Sequence, residues 1–201
     1  MFESVIEKFE KYLDKKESET PVKFNLHLAM EVKKRLEQLD YLYKKIMDKH
    51  SRCMRLAWRE QSRLEPLMQR VREVGGSITV QKSDDRLEID KLMFEIELLT
   101  ESFYYLAHRV RTLLTHKSKP LPELSRFECK GARDVRNKLL EHPEKDGGVF
   151  LQSFGVGGDK GPTLKVKRPA GQEMIFPDAG LKANATEIKN NLERLLEKAI
   201  I

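Results

Sequence analysis

Cysteine is almost absent from this sequence: Cys53 and Cys129 are the only two, and neither stands at metal-ligand spacing from another cysteine, a histidine or an acid. That excludes a disulfide scaffold and the common structural zinc motifs, and it fits a reducing, cytoplasmic compartment. No run of eighteen apolar residues occurs, so no membrane-spanning helix is expected. MFESVIEKFEKYL alternates charged with apolar residues and lacks the continuous apolar stretch of a secretion signal. No serine or cysteine lies in a nucleophile-elbow pattern, which disfavours covalent hydrolase chemistry. Internal repeats and low-complexity tracts are also missing.

Charge, by contrast, is abundant. Charged residues make up 35% of the chain against 39% hydrophobic, with a net charge of +6. The balance suits long amphipathic helices that expose one face, and the positive excess favours anionic partners such as nucleic acid. The length of 201 residues allows one domain, 1–201.

Apolar periodicity predicts the elements. Phe2, Val5, Ile6, Phe9, Tyr12 and Leu13 make one helical stripe, ended by the loop ESETP. A second helical region runs from Asn25 to Val74, with a break expected near His50-Ser51, a bend or fresh start at Pro66, and a stop at Gly75-Gly76. Asp84 or Asp85 is positioned to cap a third helix, whose Ile89, Leu92, Ile96, Leu99, Phe103, Leu106, Val110 and Leu113 repeat as a heptad-like seam. A short helix from Phe127 to Glu141 follows the loop KSKPLPEL. Residues 147–180 read as short strands between GVGGDKGP and PAG, and Asn184 with Glu187 reads as a capping box for the last helix. The expected fold class is therefore mainly α: an antiparallel helical bundle with a small β-hairpin or three-stranded insertion before the C-terminal helix.

Chemistry concentrates in RNKLLEH, residues 136–142, stopped by Pro143. Cleaving a phosphodiester needs a base for the attacking hydroxyl and a cation for the developing phosphorane. Histidine and arginine suit these tasks, and a helix C-terminus favours a protonated imidazole. On an ideal helix Arg136 and His142 lie about 120° and about 9 Å apart, so they line a groove rather than grip one atom. Asn137 can orient a phosphate or the histidine. Elsewhere, RTLLTH offers Arg111 and His116 at a similar gap but lacks an asparagine after the arginine.

The segment RDVRNKLLEHPEK resembles the signature of the HEPN superfamily, on Arg136, Asn137 and His142. The resemblance implies an antiparallel helical bundle, a homodimer with facing motifs, and metal-independent RNA cleavage in toxin–antitoxin or defence settings, with an antitoxin or other protein partner. It implies His142 as base or acid, Arg136 as phosphorane stabiliser and no metal or other cofactor. The competing reading makes RNKLLEH an ordinary helix end in a noncatalytic protein–protein interaction module or a nucleotide-binding regulatory bundle.

Arg52, Arg55, Arg59 and Arg63 fall on one helical face, with Trp58 nearby as a stacking platform. They form either a track for an RNA backbone or a solvated face of local ion pairs. GVGGDKGP lacks the Lys-Ser/Thr ending of a phosphate loop and reads as a hairpin tip. His27, His50, His108 and His116 form no metal-ligand spacing and read as surface or seam residues.

Overall fold

The computed structural model describes residues 1–19, 25–77, 79–116, 121–136, 150–156, 162–167 and 173–201, the strands by their backbone. Five helices carry the architecture: α1 (Glu3–Glu19), α2 (Leu26–Val74), α3 (Asp84–Leu114), α4 (Lys130–Arg136) and α5 (Leu181–Ile200). A 3₁₀ turn at Pro122–Leu124 precedes α4. Between α4 and α5 run β1 (Phe150–Val156), β2 (Pro162–Lys167) and β3 (Glu173–Gly180), an antiparallel sheet in the order β1-β2-β3. Its register pairs Phe150 with Lys167 and Val156 with Pro162 on one side, and Lys167 with Glu173 on the other.

The chain is mainly helical, as its periodicity predicts, but several of the expected boundaries move, and α4 starts at Lys130 rather than Phe127. α2 is one helix of 49 residues, about 74 Å long, with no break at His50-Ser51. Ser51 does not cap a new helix; its hydroxyl donates back to the Met47 carbonyl (2.8 Å). Ile46, His50, Cys53 and Leu56 stay on the buried face there, so packing keeps the helix continuous. Pro66 lies inside the same helix, at an exposed position where water can satisfy the carbonyl its ring leaves without a donor. At α3 the cap is Ser83, one residue before the expected pair, accepting from the Arg86 amide (3.1 Å).

α2 and α3 run antiparallel. Lys49 holds Glu95, Arg52 holds Glu88, and Arg59 holds Asp85 (2.9 Å), so rising numbers on one helix meet falling numbers on the other. α1 is antiparallel to α2, through Glu3–Lys44 and Glu10–Lys33 (both 2.6 Å). α1 and α5, however, run parallel: Ser4 donates to Glu193 (2.5 Å) and Lys8 to Glu197 (2.6 Å). This pair departs from the expected antiparallel bundle. A short loop forces neighbouring helices antiparallel, whereas these two are joined through the whole of the chain and carry no such constraint.

The core lies where α1, α2, α3 and α5 meet. Phe2, Phe9, Phe103, Tyr104 and Phe127 are buried there, Phe2 tilted on Phe103 at 6.4 Å and Phe103 edge-on to Tyr104 at 5.6 Å. Asp40, buried at the edge of this core, takes a hydrogen bond from the Phe2 amide (2.7 Å) and an ion pair from Lys44 (2.7 Å). Burial pushes its carboxyl up, but the Lys44 ammonium and the Phe2 amide outweigh that and hold it below the usual range.

The far end of the hairpin is fixed by Glu60. Its carboxylate takes both forks of Arg63 (2.7 and 3.0 Å) and the hydroxyl of Ser83 (2.7 Å), the same serine that caps α3. Arg63 and then Ser83 lower the Glu60 pKa from 4.5 to about 2. A carboxyl depressed on folding adds stability that is complete above the unfolded pKa and lost as pH falls through the folded one. Glu60→Gln should therefore lower the Tm at pH 7, and its deficit relative to wild type should shrink as pH falls from 4.5 to 2. Thermal melts at several pH values test this; a deficit that stays constant to pH 2 would remove Glu60 from the account.

Candidate functional site

α4 carries the start of the Arg-Asn…His run, and its seven residues cannot hold a helix by themselves. Packing and capping supply the rest. Ala132 and Val135 bury one side, while the amides of Lys130 and Gly131 donate to the two oxygens of Glu187 on α5 (2.8 and 3.1 Å). One carboxylate from a different helix thus satisfies two amides that the first turn leaves open, and its charge suits the positive helix end. One turn on, Asn191 donates to the Glu128 carbonyl (2.8 Å). One turn back, the buried Asn184 donates to the hydroxyl of the buried Tyr104 (2.8 Å), tying α5 to α3.

The spacing of Asn184 and Glu187 was thus a capping signal whose target is misplaced by sequence alone. α5 begins at Leu181, before both of them, and Glu187 caps α4 instead. Gly131 allows this approach. A methyl group there would collide with Asn184 Oδ1 and fall 3.0 Å from Glu187 Oε2.

Arg136 is the last described residue of α4 and is half-buried. Asn137 and His142 lie outside the described residues. Arg133 of α4 and Arg111 of α3 both act to lower the pKa of the buried Cys129 thiol. Burial dominates them nonetheless and pushes that thiol up to about 12, which makes Cys129 an unreactive core residue.

The four-arginine stripe is at the other end of α3. Arg52, Arg59 and Arg63 hold Glu88, Asp85 and Glu60, while Arg55 and Trp58 are exposed. From Asp85 to Arg111 is about 39 Å along the helix, so the end of α3 that leads to α4 lies far from the stripe.

The structure assembles another basic surface that sequence reading missed. Arg126, just after the 3₁₀ turn, joins Arg194 and Lys198 of α5 around an open groove of about 590 Å³. Glu123, on the same groove, is engaged by Lys16 (2.6 Å) and Tyr12 (2.9 Å). The groove starts about 10 Å further along α5 than Glu187. Nothing local in the sequence marks it, because its cations come from segments almost seventy residues apart.

His50 is a core residue, kept neutral by burial, which lowers its pKa. Among the described residues no cluster of three His, Cys, Asp or Glu could hold a metal ion, and no helix is long and apolar enough to cross a membrane. No family model, curated protein or solved structure matches the chain.

Gly131→Ala tests the clamp. The added methyl should cost about 1–3 kcal/mol, as overpacking does, with α4 displaced rather than the core. Hydrogen exchange localises the effect: amides 130–136 should lose protection while those of α2 keep theirs, and a uniform loss would refute the local clamp.

Proposed function

We propose that the chain is a HEPN-like RNA-binding protein that cleaves RNA without a metal ion. Arg136 neutralises the phosphorane, His142 serves as base or acid for attack by the 2′-hydroxyl, a second copy supplying the other role, and Asn137 positions the phosphate or the imidazole. The observation that carries this reading is the anchoring of Arg136. It sits at the end of a helix clamped by Glu187, on the same short helix as Arg133. The groove of Arg126, Arg194 and Lys198 supplies a path for the flanking backbone, with the stripe at Arg55 as a second binding surface. In this reading the strand-bearing insertion, 147–180, is a flap beside the site.

One observation favours the noncatalytic interaction module. Three of the four stripe arginines are already engaged with carboxylates, which weakens the field that stripe presents to an anion. Cleavage decides between the readings. Wild type, Arg136→Ala and His142→Ala are incubated with labelled RNA in excess chelator. Expected are 2′,3′-cyclic or 3′-phosphate ends from wild type and a loss of about 10²-fold or more in either variant. Equal cleavage by all three would assign the activity elsewhere, and absence of cleavage across varied RNAs would favour the interaction module.

Binding gives a separate check. Replacing Arg126, Arg194 and Lys198 by alanine should weaken single-stranded RNA binding. It should also flatten the plot of log K against log salt by about 0.7 for each phosphate that is no longer neutralised. An unchanged slope would take the groove out of the proposal.

A further inference from the structure

α3 carries two apolar lines. One is the buried seam through Ile89, Ile96, Phe103 and Val110. The other lies on the opposite side of the helix, where Leu87, Phe94, Leu98 and Tyr105 are 55%, 61%, 48% and 59% exposed. With Lys91 and Glu101 these residues occupy positions 87, 91, 94, 98, 101 and 105. Their alternating steps of four and three keep them within a wedge of about 80° over about 27 Å of helix. Large apolar side chains at heptad spacing on an outward face are the pattern of a helix that pairs with another.

The order of residues along the line identifies the partner. Position 96 is its centre. Leu87 and Tyr105 each stand nine residues away, Lys91 and Glu101 five, Phe94 and Leu98 two. Reversed, the line has the same pattern of apolar and charged positions, with the two charges exchanged. We propose that this face of α3 binds the same face of a second copy, antiparallel, about a twofold axis at residue 96.

In that register Phe94 packs against Leu98 of the second copy and Leu87 against its Tyr105. Lys91 meets the opposite charge of Glu101, and every contact occurs twice, as an isologous interface requires. Antiparallel pairing also sets the first apolar heptad position of one helix beside the second of the other, which is how these pairs fall. A parallel pair would set Lys91 against Lys91 and Glu101 against Glu101. Beside Leu87 and Lys91, a shallow groove of about 390 Å³ between α3 and the Lys49–Arg52 stretch of α2 leaves room for the tyrosine ring. On one flank of the centre Glu95 already holds Lys49; on the other, Glu97 faces its mate and is the repulsion the register leaves.

The arrangement has a consequence for the RNA reading without resting on it. The end of α3 whose Glu88 and Asp85 hold Arg52 and Arg59 of α2 lies alongside the end of the second α3 that leads to its α4. The stripe of one copy and the α3 end that leads to Arg136 of the other, remote within one chain, lie near each other in the dimer.

Sedimentation equilibrium without RNA tests the interface, so its outcome is separate from that of the cleavage assay. Wild type should be dimeric at micromolar concentration, and Phe94→Glu with Leu98→Glu should be monomeric with unchanged helical circular dichroism. Lys91→Glu should weaken the dimer at least tenfold at low salt. Adding Glu101→Lys to it should restore the wild-type constant, because the two charges change places. A wild type monomeric up to about 100 μM, or a dimer indifferent to Phe94→Glu and Leu98→Glu, overturns the proposal. A Lys91→Glu dimer as tight as wild type overturns the antiparallel register.

Discussion

Glu187 satisfies two amides of a helix it does not belong to, and the geometry around Arg136 depends on that bond pair. Seven residues have too few internal hydrogen bonds to offset the entropy of ordering them. The carboxylate closes the open first turn, and Gly131 lets α5 come near enough for it to do so. The same helix is tied to α3 by Asn184 and Tyr104 inside the core, where an unmade hydrogen bond would be costly. The position of Arg136 is therefore inherited from α5, and through α5 from the core.

The long α2–α3 hairpin follows a different logic. Its inner seam is apolar, but its edges are laced by Lys49–Glu95, Arg52–Glu88 and Arg59–Asp85, and its end is closed by the Glu60–Ser83 hydrogen bond. Most of these groups are partly exposed, so they contribute modestly to stability; their larger effect is on register, since a slip would set like charges together. Basic residues that read in the sequence as a nucleic-acid track thus also serve to hold two helices in step.

Much of the helical framework was legible because burial follows a period. The stripes through Phe2 and Phe9, through Val32, Leu36 and Leu39, and through Ile89, Ile96 and Phe103 all proved to be the buried faces. Local signals did less well wherever a distant partner outweighed them. Ser51 looked like a cap and Pro66 like a break, yet the buried face through Ile46, His50 and Cys53 carries α2 past the first, and the helix continues through the second. Asn184 and Glu187 had the spacing of a capping box, and their side chains are spent on Tyr104 and α4. The groove of Arg126, Arg194 and Lys198 has no local signature at all.

By itself the sequence determined the mainly helical character and which side of each long helix is apolar, since both follow from spacing within one segment. That Leu87, Phe94, Leu98 and Tyr105 stay exposed on the other side of α3 was decided only in the folded chain, because it depends on which elements pack there. The clamp on α4, the parallel run of α1 with α5, and the distance between the arginine stripe and Arg136 were likewise tertiary outcomes. Each depends on contacts between residues far apart in the chain, and no local pattern of side chains encodes such a distance.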